Sequence, residues 1–166
     1  ALGVQVIQAE ARFEGRNRIV AGDYEIRARR FVIATGSSPL VPDIEGLDSL
    51  DYLTNETIFG LTRRPGHLIV IGGGPVGLEL AQAHRRLGSD VTVVEAANAL
   101  ANEDPEAAAV VLRALRAEGV DIRERAKVVS AERRGKTGVC VYVETEQGPA
   151  AIDGTHLLVA AGRTAN

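Results

Sequence analysis

The spacing of apolar positions changes along the chain. Over residues 4–34 the apolar runs are short: Val4, Val6 and Ile7, then Ile19-Val20, Tyr24 to Ile26, and Phe31-Val32-Ile33-Ala34. No helix-length periodicity separates them, and Gly15-Arg16-Asn17 marks a turn, so this stretch predicts an antiparallel meander. Residues 39–65 carry Pro39, Pro42, Pro65, Gly46 and Gly60 and read as a connector, with a short helix near Asn55–Leu61.

From His67 the pattern is different. Leu68-Ile69-Val70-Ile71 is a continuous apolar run, as expected of a strand buried on both faces. Gly72, Gly73 and Gly74 break it, and Pro75 suits the first turn of a helix, where its missing N–H costs nothing. Val76, Leu80, Ala83 and Leu87 then follow at helical spacing, and Gly88 suits the helix end. Val91-Thr92-Val93-Val94 predicts a second buried strand, so residues 68–95 read as one β-α-β unit. A second helix is predicted after Asp104 as cap and Pro105 at the first position, with Ala108, Val111, Leu112 and Leu115 as its stripe and Gly119 at its end. Strands are expected at Lys127–Val129, Val139–Thr145 and Leu157–Ala160. Turns are expected at Gly135-Lys136-Thr137-Gly138 and Gln147-Gly148-Pro149.

Composition narrows the classes. Apolar residues make up 45% of the 166, enough for a core and too many for a disordered chain. A net charge of −3 gives no reason to expect a nucleic-acid partner. No apolar run reaches the length of a membrane span, and no signal-peptide pattern is present. A single cysteine, Cys140, cannot form an intrachain disulfide; it reads as a small core residue in a strand, and a cytoplasmic setting is expected. His67, His84 and His156 are scattered without ligand spacing, so no metal site is predicted.

The chemistry concentrates at the glycine run. Gly72, Gly74 and Gly77 have G-x-G-x-x-G spacing directly between a strand and a helix. Gly72 permits the sharp turn, Gly74 lets a pyrophosphate approach the backbone, and Gly77 lets the helix pack against the strands. The helix N-terminus offers N–H groups and a positive dipole end to phosphate. Glu95 follows Gly77 by 18 residues, at the end of the second strand. An acid there accepts hydrogen bonds from the adenosine ribose and repels a 2′-phosphate, and Ala96-Ala97-Asn98 supply no cation to hold one. The expected cofactor is therefore NAD in preference to NADP. Glu79, placed in the first helical turn, is an acid of the kind favoured there.

Three stretches in this order, "ATGSSP" (34–39), "VIGGGPVGLELA" (70–81) and "LLVAAGRTAN" (157–166), resemble the flavoprotein pyridine nucleotide–disulfide oxidoreductases, which include dihydrolipoamide dehydrogenase, mercuric reductase and glutathione reductase. The resemblance implies an α/β fold: a Rossmann-like NAD-binding domain, parallel sheet plus β-meander, preceded by an antiparallel β-meander segment of the FAD domain. It divides the chain into an FAD-domain part at 1–40, a connector at 41–65 and the NAD-binding domain at 66–166. It assigns Gly72, Gly73, Gly74, Pro75, Val76, Gly77, Glu79, Glu95, Val128 and Gly162 to NAD, with Glu79 near the nicotinamide and Val128 beside the adenine. Thr35, Gly36 and Ser37 are assigned to FAD, and Arg163 lies at the return to the FAD domain.

Several features of the family are not in these residues. The FAD phosphate loop, the redox C-x-x-x-x-C pair and the C-terminal His-Glu pair are lacking, the chain has no methionine, and it stops before the acidic "GD" motif. The expectation is an internal piece of a longer, homodimeric enzyme, which binds nicotinamide dinucleotide and leans on its FAD and dimerisation domains for catalysis. Such an enzyme passes hydride between NADH and flavin and electrons on to a disulfide or similar acceptor; the piece alone is expected to be inactive. Two other readings stay open: a stand-alone dinucleotide-binding regulatory module, and an NADH oxidase or ferredoxin-reductase-like flavoprotein without a redox disulfide.

Overall fold

A computed structural model describes residues 3–166, which form two compact units that divide between Gly36 and Ser37. In the first unit β1 (Ala11–Gly15), β2 (Arg18–Ala21) and β3 (Tyr24–Arg27) make an antiparallel meander in the order β1-β2-β3. Arg18 ties the three strands together, reaching Glu14 and Glu25 at 3.1 Å each. The meander is shorter than the apolar pattern predicts. Val4, Val6 and Ile7 form no strand, nor do Phe31 to Ala34. An apolar run becomes a strand only where its backbone finds a partner, and Val6 and Val32 are 86% and 91% exposed. Phe31 instead sets its ring edge against Phe13, with centroids 5.2 Å apart.

The second unit is layered around a parallel sheet. Its strands are β5 (His67–Ile71), β6 (Asp90–Val94), β7 (Asp121–Arg123) and β11 (His156–Val159), in the order β11-β5-β6-β7. Leu68, Val70, Val91, Val93 and Leu158 face one side, against Leu78, Leu80 and Ala81 of α1 (Pro75–Arg86) and Leu112 and Leu115 of α2 (Pro105–Ala117). Ile69, Ile71, Val94, Leu157 and Val159 face the other side, against an antiparallel sheet of β8 (Lys127–Arg134), β9 (Gly138–Thr145) and β10 (Gly148–Gly154). Burial on both faces is why these strands read as unbroken apolar runs. Cys140 lies fully buried in β9. The short strands β4 (Ser37–Pro39) and β12 (Arg163–Ala165) pair antiparallel.

The helices correct part of the sequence pattern. On α1 the buried residues are Gly77, Leu78, Leu80 and Ala81, whereas Val76, Ala83 and Leu87 are exposed. The helix approaches the sheet through its small residues, and a glycine does not register in an apolar periodicity. On α2, Ala108, Leu112 and Leu115 are buried as expected, while Val111 is 44% exposed. Asp104 caps α2, accepting from the N–H groups of Glu106 and Ala107 at 3.0 Å each.

The 39–65 stretch is well packed. Leu47 and Ile58 are buried, and Leu53 bridges to Leu158, donating its N–H to the Leu157 carbonyl at 2.7 Å. The helix expected near Asn55–Leu61 is a single 3₁₀ turn, Ile58–Gly60. A segment this short ending in glycine cannot repay helix nucleation. The apolar pattern does not predict β7, β10 or the β4–β12 pair, and β8 runs on to Arg134.

Candidate functional site

β5 delivers the chain to Gly72 at the carboxyl end of the parallel sheet, between β6 and β11. Gly72 has φ +115°, a conformation that strains any side-chain-bearing residue, and a β-carbon there would lie 2.3 Å from the Ala160 carbonyl oxygen. A β-carbon on Gly77 would lie 2.1 Å from the Gly72 carbonyl oxygen, so Gly77 sets the close approach of α1 to β5. Gly74 differs from both: nothing lies within 4 Å of its added β-carbon. One glycine makes the turn, one admits the helix, and one leaves its backbone open to a visitor.

No side chain caps α1, and Gly74 is its N-cap residue. Asp104 caps α2 by contrast. The first-turn N–H groups of α1 thus keep the unsatisfied donors that every helix start presents. The helix start borders a cleft of about 300 Å³, lined by Gly74, Pro75, Val76, Glu95, Gly162 and Arg163 among others. Asn55 and Asn102 add side-chain amides to its wall. A second cleft, of about 330 Å³, shares Gly72, Glu95 and Ala161 with the first and reaches Val128 and Lys127 on β8. Together they make one crevice across the carboxyl ends of β5, β6 and β11, with Glu95 in the middle.

Glu95 stands one residue past β6. Its Oε2 accepts from the Gly73 N–H at 2.7 Å and its Oε1 from the Ala97 N–H at 2.9 Å. Its own N–H donates to the Arg123 carbonyl and its carbonyl accepts from Ala126, both at 2.9 Å. Gly73 is held from both sides, because its carbonyl accepts from the Leu100 N–H at 3.0 Å. The contact between Glu95 and the glycine loop is beyond sequence reasoning, which sees only the spacing.

The remaining candidates are more dispersed. Glu79 is exposed on the second turn of α1, not the first, and borders a separate apolar groove with Leu78, Leu100 and Val111 between α1 and α2; Pro75 borders both spaces. Thr35 and Gly36 close the first unit, and Ser37 opens β4. Ser37 is not in the crevice wall; its hydroxyl accepts from Arg163 Nε at 2.7 Å and its carbonyl from Arg163 Nη2. Arg163 also donates to Asn55 Oδ1 at 3.0 Å, tying β12 and β4 to the crevice mouth. Among the described residues no group of three or more His, Cys, Asp and Glu side chains is placed to hold a metal, and no helix is long and apolar enough to cross a membrane.

A glycine turn at the carboxyl edge of a parallel sheet, leading into an uncapped helix beside the strand that ends in an acid, defines a Rossmann-type α/β protein. The comparisons with known proteins narrow the class. All 166 residues match the family described as pyridine nucleotide-disulphide oxidoreductase, and the chain belongs to that family. It is 37% identical over 166 residues to a mercuric reductase of Streptomyces lividans, with 97% of this chain and 35% of that protein aligned. It is 36% identical over 170 residues to a dihydrolipoyl dehydrogenase of Thermus scotoductus, with 96% and 35% aligned. Among solved structures, the Cu(II) complex of the HOCl-induced flavoprotein disulfide reductase RclA from Escherichia coli superposes with a TM-score of 0.71 at 32% identity, covering 98% of this chain and 37% of that one. The chain spans about a third of the length of the relatives it matches.

Proposed function

We propose that the chain is the NAD(H)-binding part of an FAD-dependent oxidoreductase that passes hydride between NADH and flavin and electrons on to a disulfide or similar acceptor. The observation that carries the reading is the crevice itself: the open backbone at Gly74, the uncapped start of α1 and the Glu95 carboxylate border one continuous space. The residues fit a dinucleotide. A β-carbon at Gly74 would project into free space that a pyrophosphate can use, and the N–H groups at the start of α1 would hold its oxygens.

Each residue has a role in this reading. Glu95 would accept the ribose hydroxyls and repel a 2′-phosphate, which favours NAD over NADP. Val128 would offer an apolar surface to the adenine, at the β8 end of the crevice. Gly162, with Arg163, would border the nicotinamide end. Glu79 is kept near the nicotinamide on the strength of the family resemblance, with Pro75 bordering both its groove and the crevice. Thr35, Gly36 and Ser37 would lie against FAD.

When bound, the nicotinamide supplies hydride-transfer chemistry, and the protein's part is to bind, orient and shield it. With Cys140 as its one cysteine, the chain holds no disulfide acceptor of its own, so the 166 residues bind NADH without turning it over. The cytoplasmic setting and the homodimeric whole belong to the same proposal. The test is amide NMR with added NADH. Shifts are expected at residues 72–77, Glu95 and Val128; saturable binding that leaves those amides unmoved sinks the reading. Oxidation of NADH by the chain with a dye acceptor, without added flavin, would refute the inactivity.

A further inference from the structure

The opposite end of the parallel sheet carries a second concave site. A basin of about 550 Å³ lies at the amino ends of β5 and β11, under the β8–β9 turn. Four cationic side chains border it, Arg63, Arg64, Arg133 and Lys136, against one carboxylate, Asp51. This concentration of positive charge is local, because the chain as a whole carries −3.

Two of the four cations have no internal partner among the described residues. Arg63 and Lys136 make no hydrogen bond or ion pair among the described residues. Arg133 pairs with Asp51 at 3.0 Å, but the Asp51 side chain is 96% exposed, and such a pair exchanges readily for another anion. Arg64 donates to the Gly88 carbonyl, outside the basin wall. The Thr137 hydroxyl, beside Lys136 in the turn, adds a neutral donor. A free guanidinium, a free ammonium, an exchangeable Arg133 and a hydroxyl-bearing residue bordering one hollow are the donor set that recognises a phosphate group. The hollow has the volume of a small-molecule site.

We propose that this basin binds a small phosphate-bearing anion, at a site separate from the dinucleotide crevice. The concavity favours a compact ligand over an acidic protein surface. Free pyrophosphate and the phosphate of a larger metabolite share this chemistry. The proposal stands whether or not the crevice binds NAD(H).

The test is titration of the chain with inorganic pyrophosphate in the presence of saturating NADH, read by heat and by the ring resonances of His156, which borders the basin. Saturable binding that shifts the His156 resonances is expected. The double variant Arg63→Gln/Lys136→Gln should weaken it at least about tenfold, since two charge-assisted contacts are lost, and added salt should weaken it further. A phosphomonoester binding tighter than pyrophosphate would identify a metabolite as the source; the reverse order would identify the free anion. No saturable binding, binding that leaves His156 unmoved, or undiminished binding in the double variant overturns the proposal. Binding of polyglutamate without pyrophosphate overturns it in favour of an acidic protein partner.

Discussion

The Glu95 carboxylate accepts the Gly73 N–H at 2.7 Å, so the acid that ends one strand holds the glycine loop that ends its neighbour. A residue predicted to meet the ribose also supports the turn that meets the phosphates. Gly73 is buried, and a buried N–H left without its acceptor is costly. Glu95→Ala should therefore lower folding stability by roughly 1–3 kcal/mol in addition to any loss of nucleotide affinity. Urea denaturation of the two proteins checks this. Equal stability would mean that the loop does not depend on the acid.

The glycines separate folding from binding. Gly77→Ala puts a methyl 2.1 Å from the Gly72 carbonyl oxygen, with the Ala160 methyl at 3.5 Å, and should destabilise the unit by about 1–3 kcal/mol or more. Gly74→Ala meets nothing within 4 Å, at φ −79° and ψ 177° that alanine adopts freely. Its stability should stay within about 0.5 kcal/mol of the parent. Its NADH affinity should fall about tenfold or more, because the methyl takes the space of the phosphate. Thermal melts beside NADH titrations of both variants decide the matter; an unaffected affinity in Gly74→Ala would contradict the assigned role.

The far ends of the two helices are joined by one acid. Glu118 receives both Arg86 Nε at 2.8 Å and Arg86 Nη2 at 2.7 Å, with Gln82 Nε2 also at 2.8 Å. The Arg86 hydrogen bond holds the Glu118 carboxyl below its ordinary 4.5. A carboxyl depressed in the folded state contributes stability above its unfolded value and loses it as pH falls below 4.5 toward the folded value. Glu118→Gln should be less stable than the parent at pH 7, and the difference should shrink as the pH drops below that value. Arg86 is exposed and Glu118 partly so, so added salt should shrink it too. Denaturation midpoints from pH 3 to pH 7 measure this; a difference that grows on acidification would contradict it.

Much of the crevice was legible in the residues. The β5-α1-β6 unit announces itself because an apolar run, three glycines and Pro75 follow one another without a gap. The Asp104-Pro105 start of α2 is equally plain, since cap and first-turn proline are local chemistry. β10 was hidden because Pro149 and its neighbours carry weak strand character, and pairing with β9 alone makes it a strand. Val4 to Ile7 and Phe31 to Ala34 show the opposite failure, apolar runs with no strand partner. Asn55 and Asn102 join the crevice from separate loops, and only tertiary structure brings them there. The apolar spacing misses the buried face of α1 because Gly77, which packs against the Gly72 carbonyl, counts for nothing in a hydrophobic pattern.

Glu95 and the loop from Gly72 to Gly77 form the proposed NAD(H) site. Titration of the chain with NADH and, separately, NADPH, followed by nicotinamide fluorescence, tests it most directly. Saturable NADH binding, much weaker NADPH binding, and loss of the NADH signal in Glu95→Ala are expected. Binding of neither nucleotide, or tighter binding of NADPH, would contradict it.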